Sequence, residues 1–128
     1  MSDQVLATVC DIVAGIFECA PETLGPQTRL MVDLPCESID LLELGASLNR
    51  EFRVNVDDDV AFLRSLRVHA ERFKNSGVEA GLAAEYPHLS AQRIHELAEA
   101  LAVPGADPLL SIGDVAAYVT HALEKGRQ

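Results

Sequence analysis

Ser38 sits in the run Asp33-Leu34-Pro35-Cys36-Glu37-Ser38-Ile39-Asp40-Leu41-Leu42-Glu43-Leu44, where one hydroxyl is ringed by carboxylates straight after a Pro-containing turn. Apolar residues after it recur at helical spacing, so the serine falls at the mouth of an amphipathic helix. A hydroxyl there is exposed and lies at the positive end of the helix dipole, where unpaired amides favour an anion. That chemistry suits a phosphate diester on the serine oxygen. Taken by position alone, the serine is an ordinary N-cap, and that alternative stays open at this point.

Other chemistries find little support. A serine hydrolase would need a Gly-x-Ser-x-Gly elbow and a histidine partner, and neither is present. His69, His88, His95 and His121 form no His-x-x-x-His pair and show no close acidic partner pattern, so they are expected at surface or boundary positions. Cys10, Cys19 and Cys36 are odd in number and contain no Cys-x-x-Cys spacing, against both a disulfide framework and a zinc site. Cys36, two residues before Ser38, is expected to be a small apolar filler in preference to a thiol that exchanges with anything on the serine. No catalytic residues and no metal ligands are therefore expected.

The net charge is −10, and residues 1–60 hold −9 of it. Nucleic acid is an improbable partner for such a chain. An acidic first half suits docking to basic patches on other proteins, though it also serves solubility. Length predicts one domain, 1–128, with an aliphatic core, since apolar residues make up 48% but aromatics only 5%. No apolar run is long enough to span a bilayer and no basic-then-apolar leader opens the chain, so a cytoplasmic monomer without a transmembrane segment is expected.

Helices must position the serine, because no run alternates convincingly as a strand would. The first is expected over about 3–18, with Val5, Val9, Ile12, Val13 and Ile16 on one face and Pro21 closing it. A connection from Pro21 to Pro35 follows, tied to the core by Leu24, Leu30 and Leu34. The second helix runs from Ser38 to about Phe52, and Leu44, Leu48 and Phe52 continue its buried stripe. A third covers about 60–74, with Leu63, Leu66, Ala70 and Phe73 on one face and Arg64, Arg67, Glu71 and Lys74 on the adjacent, solvated one. Residues 77–89 suggest one loose turn. Ser90 caps the next helix, with Leu89 and Ile94 as a hydrophobic staple, and Pro104-Gly105 stops it. Ser111 caps the last helix, with Asp114 three residues on, and the tail from Lys125 to Gln128 should fray.

The motif around Ser38 resembles the phosphopantetheine attachment site of acyl carrier proteins, whose usual form reads Asp-Leu-Gly-x-Asp-Ser-Leu-Asp followed by Val-Glu-Leu. The loop residues Pro21, Glu22, Leu24, Leu30, Asp33 and Leu34 match the pattern that leads into that helix. Glu51-Phe52, Val54 and Val56 resemble its ending, and the segment from Ser111 to Val119 resembles the family's closing helix. The chain departs from the pattern in Glu37 for Asp, Pro35 for Gly, and Asn49, Arg50 and Arg53 where acids are usual. The resemblance covers about 3–57 and 109–123. It implies an all-α, acyl-carrier-protein-like four-helix bundle, with 60–108 inserted as roughly one helical hairpin between the second and last helices.

It further implies a covalent 4'-phosphopantetheine on Ser38, installed by a phosphopantetheinyl transferase that activates the hydroxyl against the pyrophosphate of coenzyme A. Asp33, Glu37, Asp40 and Glu43 would guide basic surfaces of that transferase and of acyl-loading and acyl-transferring enzymes. Ile39 and Leu42 would add apolar docking contacts, or else pack in the core. Gly45 is expected to allow close helix packing. By the resemblance the protein is a specialised acyl carrier of lipid or related acyl biosynthesis, a carrier and not an enzyme. The alternative is a degenerate carrier domain, unmodified, acting as an interaction module.

Overall fold

Helices carry the framework. In the computed structural model, which describes residues 3–105 and 107–126, the order is α1 (Asp3–Phe17), a 3-10 turn (Pro21–Thr23), α2 (Ser38–Phe52), α3 (Asp58–Ala61), α4 (Leu66–Arg72), α5 (Val78–Glu85), α6 (Ala91–Leu101) and α7 (Ile112–Lys125). Among the described residues the β-type pairing is one isolated antiparallel bridge, Arg29 to Ser111. No helix is long and apolar enough to cross a membrane among those residues. The all-α expectation holds, although four helices and a hairpin understate the count. Arg127 and Gln128, in the tail expected to fray, lie outside the described residues.

One apolar core joins every helix. Val9 and Val13 of α1, Leu44 and Leu48 of α2, and Val115 and Val119 of α7 are almost wholly buried, and α1 packs on both α2 and α7. Leu66 of α4, Leu82 of α5 and Leu97 of α6 belong to the same cluster. Burying each such side chain contributes about 1.5–3 kcal/mol. The 60–108 segment is thus folded onto the core, with α4, α5 and α6 packed on one another. Three helices stand there, not a single hairpin.

Two further expectations need correction. The helix expected over about 60–74 is broken between α3 and α4, because Leu63 turns left-handed at φ 53°. A straight helix could not turn the consecutive Ala61, Phe62 and Leu63 all inward, yet each is buried here. The strained residue costs about 1–3 kcal/mol and lets all three enter the core. Residues 77–89 contain a true helix, α5, where a loose turn was expected. Its Ala80, Ala83 and Ala84 are exposed while Leu82 is buried, so the sequence carries almost no amphipathic signal.

The long loop before α2 is fixed by the far end of the chain. Leu30 N donates to Leu110 O at 3.1 Å, Ile112 N to Thr28 O at 3.0 Å, and Gly113 N to Pro26 O at 2.9 Å. A Cβ on Gly113 would lie 2.8 Å from Pro26 O, so glycine is required for this approach. Leu30 is fully buried, and Leu24 and Leu34 are half-buried against the core, as expected.

Both predicted serine caps are present. Ser90 Oγ accepts from Arg93 N at 3.1 Å and Ser111 Oγ from Asp114 N at 3.2 Å. Asp114 Oδ2 returns the bond to Ser111 N at 3.0 Å, completing a capping box.

Candidate functional site

The turn into α2 is built from its neighbours' backbone. Asp33 Oδ2 accepts from Arg29 N at 2.8 Å, and Asp33 N donates to Arg29 O at 2.8 Å, which folds the chain back before Pro35. Leu34 and Cys36 pack partly against the core, and Cys36 N donates to Leu34 O at 2.8 Å across the proline. Pro35 thus replaces the family's glycine without needing positive φ.

Glu37, not Ser38, is the N-cap of α2. It is extended at φ −116° and ψ 174°, and its N–H donates to Asp40 Oδ2 at 2.8 Å. Ser38 is the first helical residue and is exposed, and its hydroxyl makes no hydrogen bond to another described residue. The bland alternative, a serine spent on capping, is therefore excluded by the geometry. A cap residue must have non-helical backbone, and that role is already taken.

The remaining α2 residues divide cleanly. Leu41, Leu44, Gly45 and Leu48 face the core. Ile39 and Leu42 are 69% and 55% exposed, which resolves their even balance between core and surface in favour of surface. Glu43 is exposed beside them and forms no ion pair with a described residue. Asp33, Glu37 and Asp40 flank the serine, with Asp33 and Asp40 also engaged by backbone amides. A Cβ at Gly45 would come within 3.1 Å of Asp58 Oδ1 and 3.6 Å of the Phe62 ring, so this glycine serves close packing of α3 on α2.

Cys36 does not offer a thiolate to the site. Burial, with the Asp40 carboxylate adding to it, pushes its thiol up to about 11. Its Sγ lies 3.6 Å from Glu37 O.

Three features escaped sequence reasoning. A cavity of about 310 Å³ opens beside Ser38, lined by Leu41, by Phe62 to Arg64 of the broken turn, by Leu66, Arg67 and Val68 of α4, and by Leu101 and residues 107–110. Arg64 and Arg67, expected on a solvated helix face, line it. Met31 and Val32, 36% and 38% exposed, add apolar surface near the turn. Their exposure has no periodic signature in a loop. His95 has acidic partners after all, Glu79 at 3.2 Å and Glu99 at 2.7 Å. The i,i+4 spacing of His95 and Glu99 was the readable signal.

Comparison with known proteins agrees with this geometry. The family model for the phosphopantetheine attachment site matches residues 7–70. An acyl carrier protein of Lactobacillus acidophilus is 32% identical over 59 residues, covering 46% of this chain and 74% of the relative. An acyl carrier protein of Picosynechococcus sp. is 25% identical over 61 residues, covering 48% and 75%. No solved structure gives a significant match. The chain belongs to the phosphopantetheine-attachment family, a carrier and not an enzyme, whose prosthetic group is 4'-phosphopantetheine.

Proposed function

We propose that this chain is a specialised acyl carrier whose arm is attached to Ser38. The arm supplies the thiol on which an acyl group rides as a thioester. The observation that carries the reading is the Ser38 hydroxyl, exposed, unbonded and released from capping by Glu37. The site fits a phosphodiester: the amides of Ser38 and Ile39, at the first two helical positions, have no intrahelical acceptor. They favour an anion at the serine by about 0.3–1 kcal/mol at an exposed helix end.

The other proposed site residues act on partners. Ile39 and Leu42 form an exposed apolar strip next to the serine. Asp33, Glu37, Asp40 and Glu43 surround it with negative charge that suits basic docking surfaces on a phosphopantetheinyl transferase and on acyl-loading and acyl-transferring enzymes. The chain would act as a cytoplasmic monomer in lipid or related acyl biosynthesis. We also propose that it is one carrier domain with a core of about 3–57 and 109–123, in which 60–108 is a helical insertion that gives pathway specificity. The fused core of α4–α6 with α1, α2 and α7 supports the single-domain part.

Intact-mass measurement after incubation with coenzyme A and a phosphopantetheinyl transferase tests the reading. Wild type should gain one phosphopantetheine and Ser38→Ala none. Modification that persists in Ser38→Ala overturns the assignment, and an unmodified wild type would mark an interaction module.

A further inference from the structure

A second cavity, of about 870 Å³, opens at the end of α2 remote from Ser38. The chain from Arg53 to Asp57 forms one wall, the last two turns of α7 a second, and Ala84, Glu85, Pro87 and His88 a third. Helix α2 has 15 residues, so roughly 22 Å of helix separates this cavity from Ser38. The third wall belongs to the 60–108 segment, so the cavity exists only because that segment is folded onto the core.

Arg53 stands on the first wall in an expensive conformation. It is the C-cap of α2 and left-handed at φ 56°, where glycine or asparagine is the usual occupant. A non-glycine residue held there costs about 1–3 kcal/mol. Its side chain is exposed and forms no ion pair with another described residue. The turn around it is pinned from both sides. Asn49 Nδ2 donates to Val54 O at 2.7 Å, while Tyr118 Oη accepts from Asp57 N at 3.0 Å and donates to Asn55 O at 3.3 Å. The wall that carries the guanidinium is therefore preformed.

Lys125 lines the same cavity, exposed and likewise without an ion pair to a described residue. Of the carboxylates on the walls, Glu85 already lies 3.9 Å from both Arg72 and His69. That leaves Asp57 against two cations, a local excess of one positive charge in a chain of net −10. Val60, Ala84, Pro87 and Leu123 add apolar surface, and the rings of His88 and Tyr118 meet edge to face at 5.3 Å. Small-molecule sites combine such surface with a few fixed polar groups in roughly 300–1,000 Å³.

We propose that this cavity binds a small organic monoanion. Its carboxylate pairs with Arg53 and Lys125, and its apolar body lies against Pro87, Leu123 and the two rings. A guanidinium on a fixed turn suits a carboxylate through paired N–H groups. The ligand is free in solution, and neither attachment at Ser38 nor an acyl cargo enters the inference. Once bound, it touches the chain after α2, the end of α5 and α7 together, so it braces the 60–108 segment against the core.

The test titrates the full chain with phenylbutyrate and follows its amide resonances by NMR. Phenylbutanol and phenylbutylamine keep the body and change the head, whereas acetate keeps the head and lacks the body. Phenylbutyrate should give saturable shifts at Val54, Ala84, Tyr118 and His121, and each control should bind at least about tenfold more weakly. Arg53→Gly removes the guanidinium but suits the left-handed turn, so its urea midpoint should not fall. It should weaken phenylbutyrate by about three- to tenfold, and Lys125→Gln should act in the same direction. Arg50→Gln, on α2 outside the cavity, should change nothing. The proposal is overturned by an absence of saturable shifts, by shifts centred on Leu41 and Leu66, or by equal binding of phenylbutanol. Unchanged affinity in both Arg53→Gly and Lys125→Gln also overturns it. Ser38→Ala should bind phenylbutyrate as wild type does; loss of binding there would assign the shifts to the region of the serine and overturn the proposal, whatever intact mass shows about attachment.

Discussion

Arg93 of α6 and Asp114 of α7 meet side by side, Nε to Oδ1 and Nη2 to Oδ2, both at 2.8 Å. Asp114 is 2% exposed and is also the capping residue that accepts from Ser111 N. Nη2 of Arg93 donates further to Leu109 O at 2.8 Å. One guanidinium therefore fastens the 60–108 region to the first turn of the closing helix. Removing it strands a buried carboxylate, so Arg93→Met should destabilise the fold by about 3–5 kcal/mol. Adding Asp114→Asn should recover part of that loss. Urea unfolding of the single and double variants measures both, and strictly additive losses would show that the pair does not act as a unit.

Capping falls on Glu37 and the proposed modification on Ser38, and stability measurements should separate the two roles. Ser38→Ala removes an unbonded hydroxyl and should change stability by less than about 0.5 kcal/mol. Asp40→Ala removes the acceptor for Glu37 N and should cost about 1 kcal/mol. Thermal or urea unfolding of the two unmodified variants gives the comparison. Equal losses would return the cap to Ser38.

Electrostatic steering by the rim is best probed at Glu43, since the carboxylates of Asp33 and Asp40 also hold backbone amides. Exposed charges act mainly on association rate and are screened over about 8 Å at physiological salt. Glu43→Lys should slow modification by a transferase most strongly at low ionic strength. A rate indifferent to both charge reversal and salt would remove the steering role.

His88 should make the fold sensitive to mild acid. Its ring lies edge-on to Tyr86 and Tyr118, and its Nε2 is buried without a hydrogen-bond partner among the described residues. Burial pushes its pKa down to about 4; the Asp114 carboxylate opposes that shift and His121 adds to it. An unfolded histidine titrates near 6.5, so below that pH the unfolded chain takes up a proton that the folded site refuses. The contribution of His88 is whole above about pH 6.5 and declines as pH falls toward 4. After discount for partial exposure to solvent, the loss is about 1–2 kcal/mol. Urea midpoints at pH 7.5 and 4.5 should converge in His88→Gln relative to wild type. An identical acid dependence in the variant would clear His88 of the effect.

Much of this molecule was readable where one residue's local chemistry decides the outcome. Ser90 and Ser111 announce their caps, and α2 begins at Ser38 and ends at Phe52 as its leucine stripe implies. The break at Leu63 was hidden because Leu63 and Leu66 suit a continuous helix equally well, and only the competition of Phe62 for the core decides against it. The helix α5 was hidden because three of its alanines face solvent and blur the periodicity. The cavity beside Ser38 is a product of distant segments, Arg64 and Leu110 among them, that no spacing rule brings together.

The hydrogen bonds that tie 26–30 to 110–113 carry a consequence for synthesis on the ribosome. Ser38 leaves the exit tunnel long before Leu110 and Ile112 are made, so the turn that displays it lacks its backing for most of translation. Such distant pairing makes the serine's presentation a late event, contingent on the segment that leads into α7. A chain stalled or clipped before residue 110 would keep its serine and lose the scaffold that aims it.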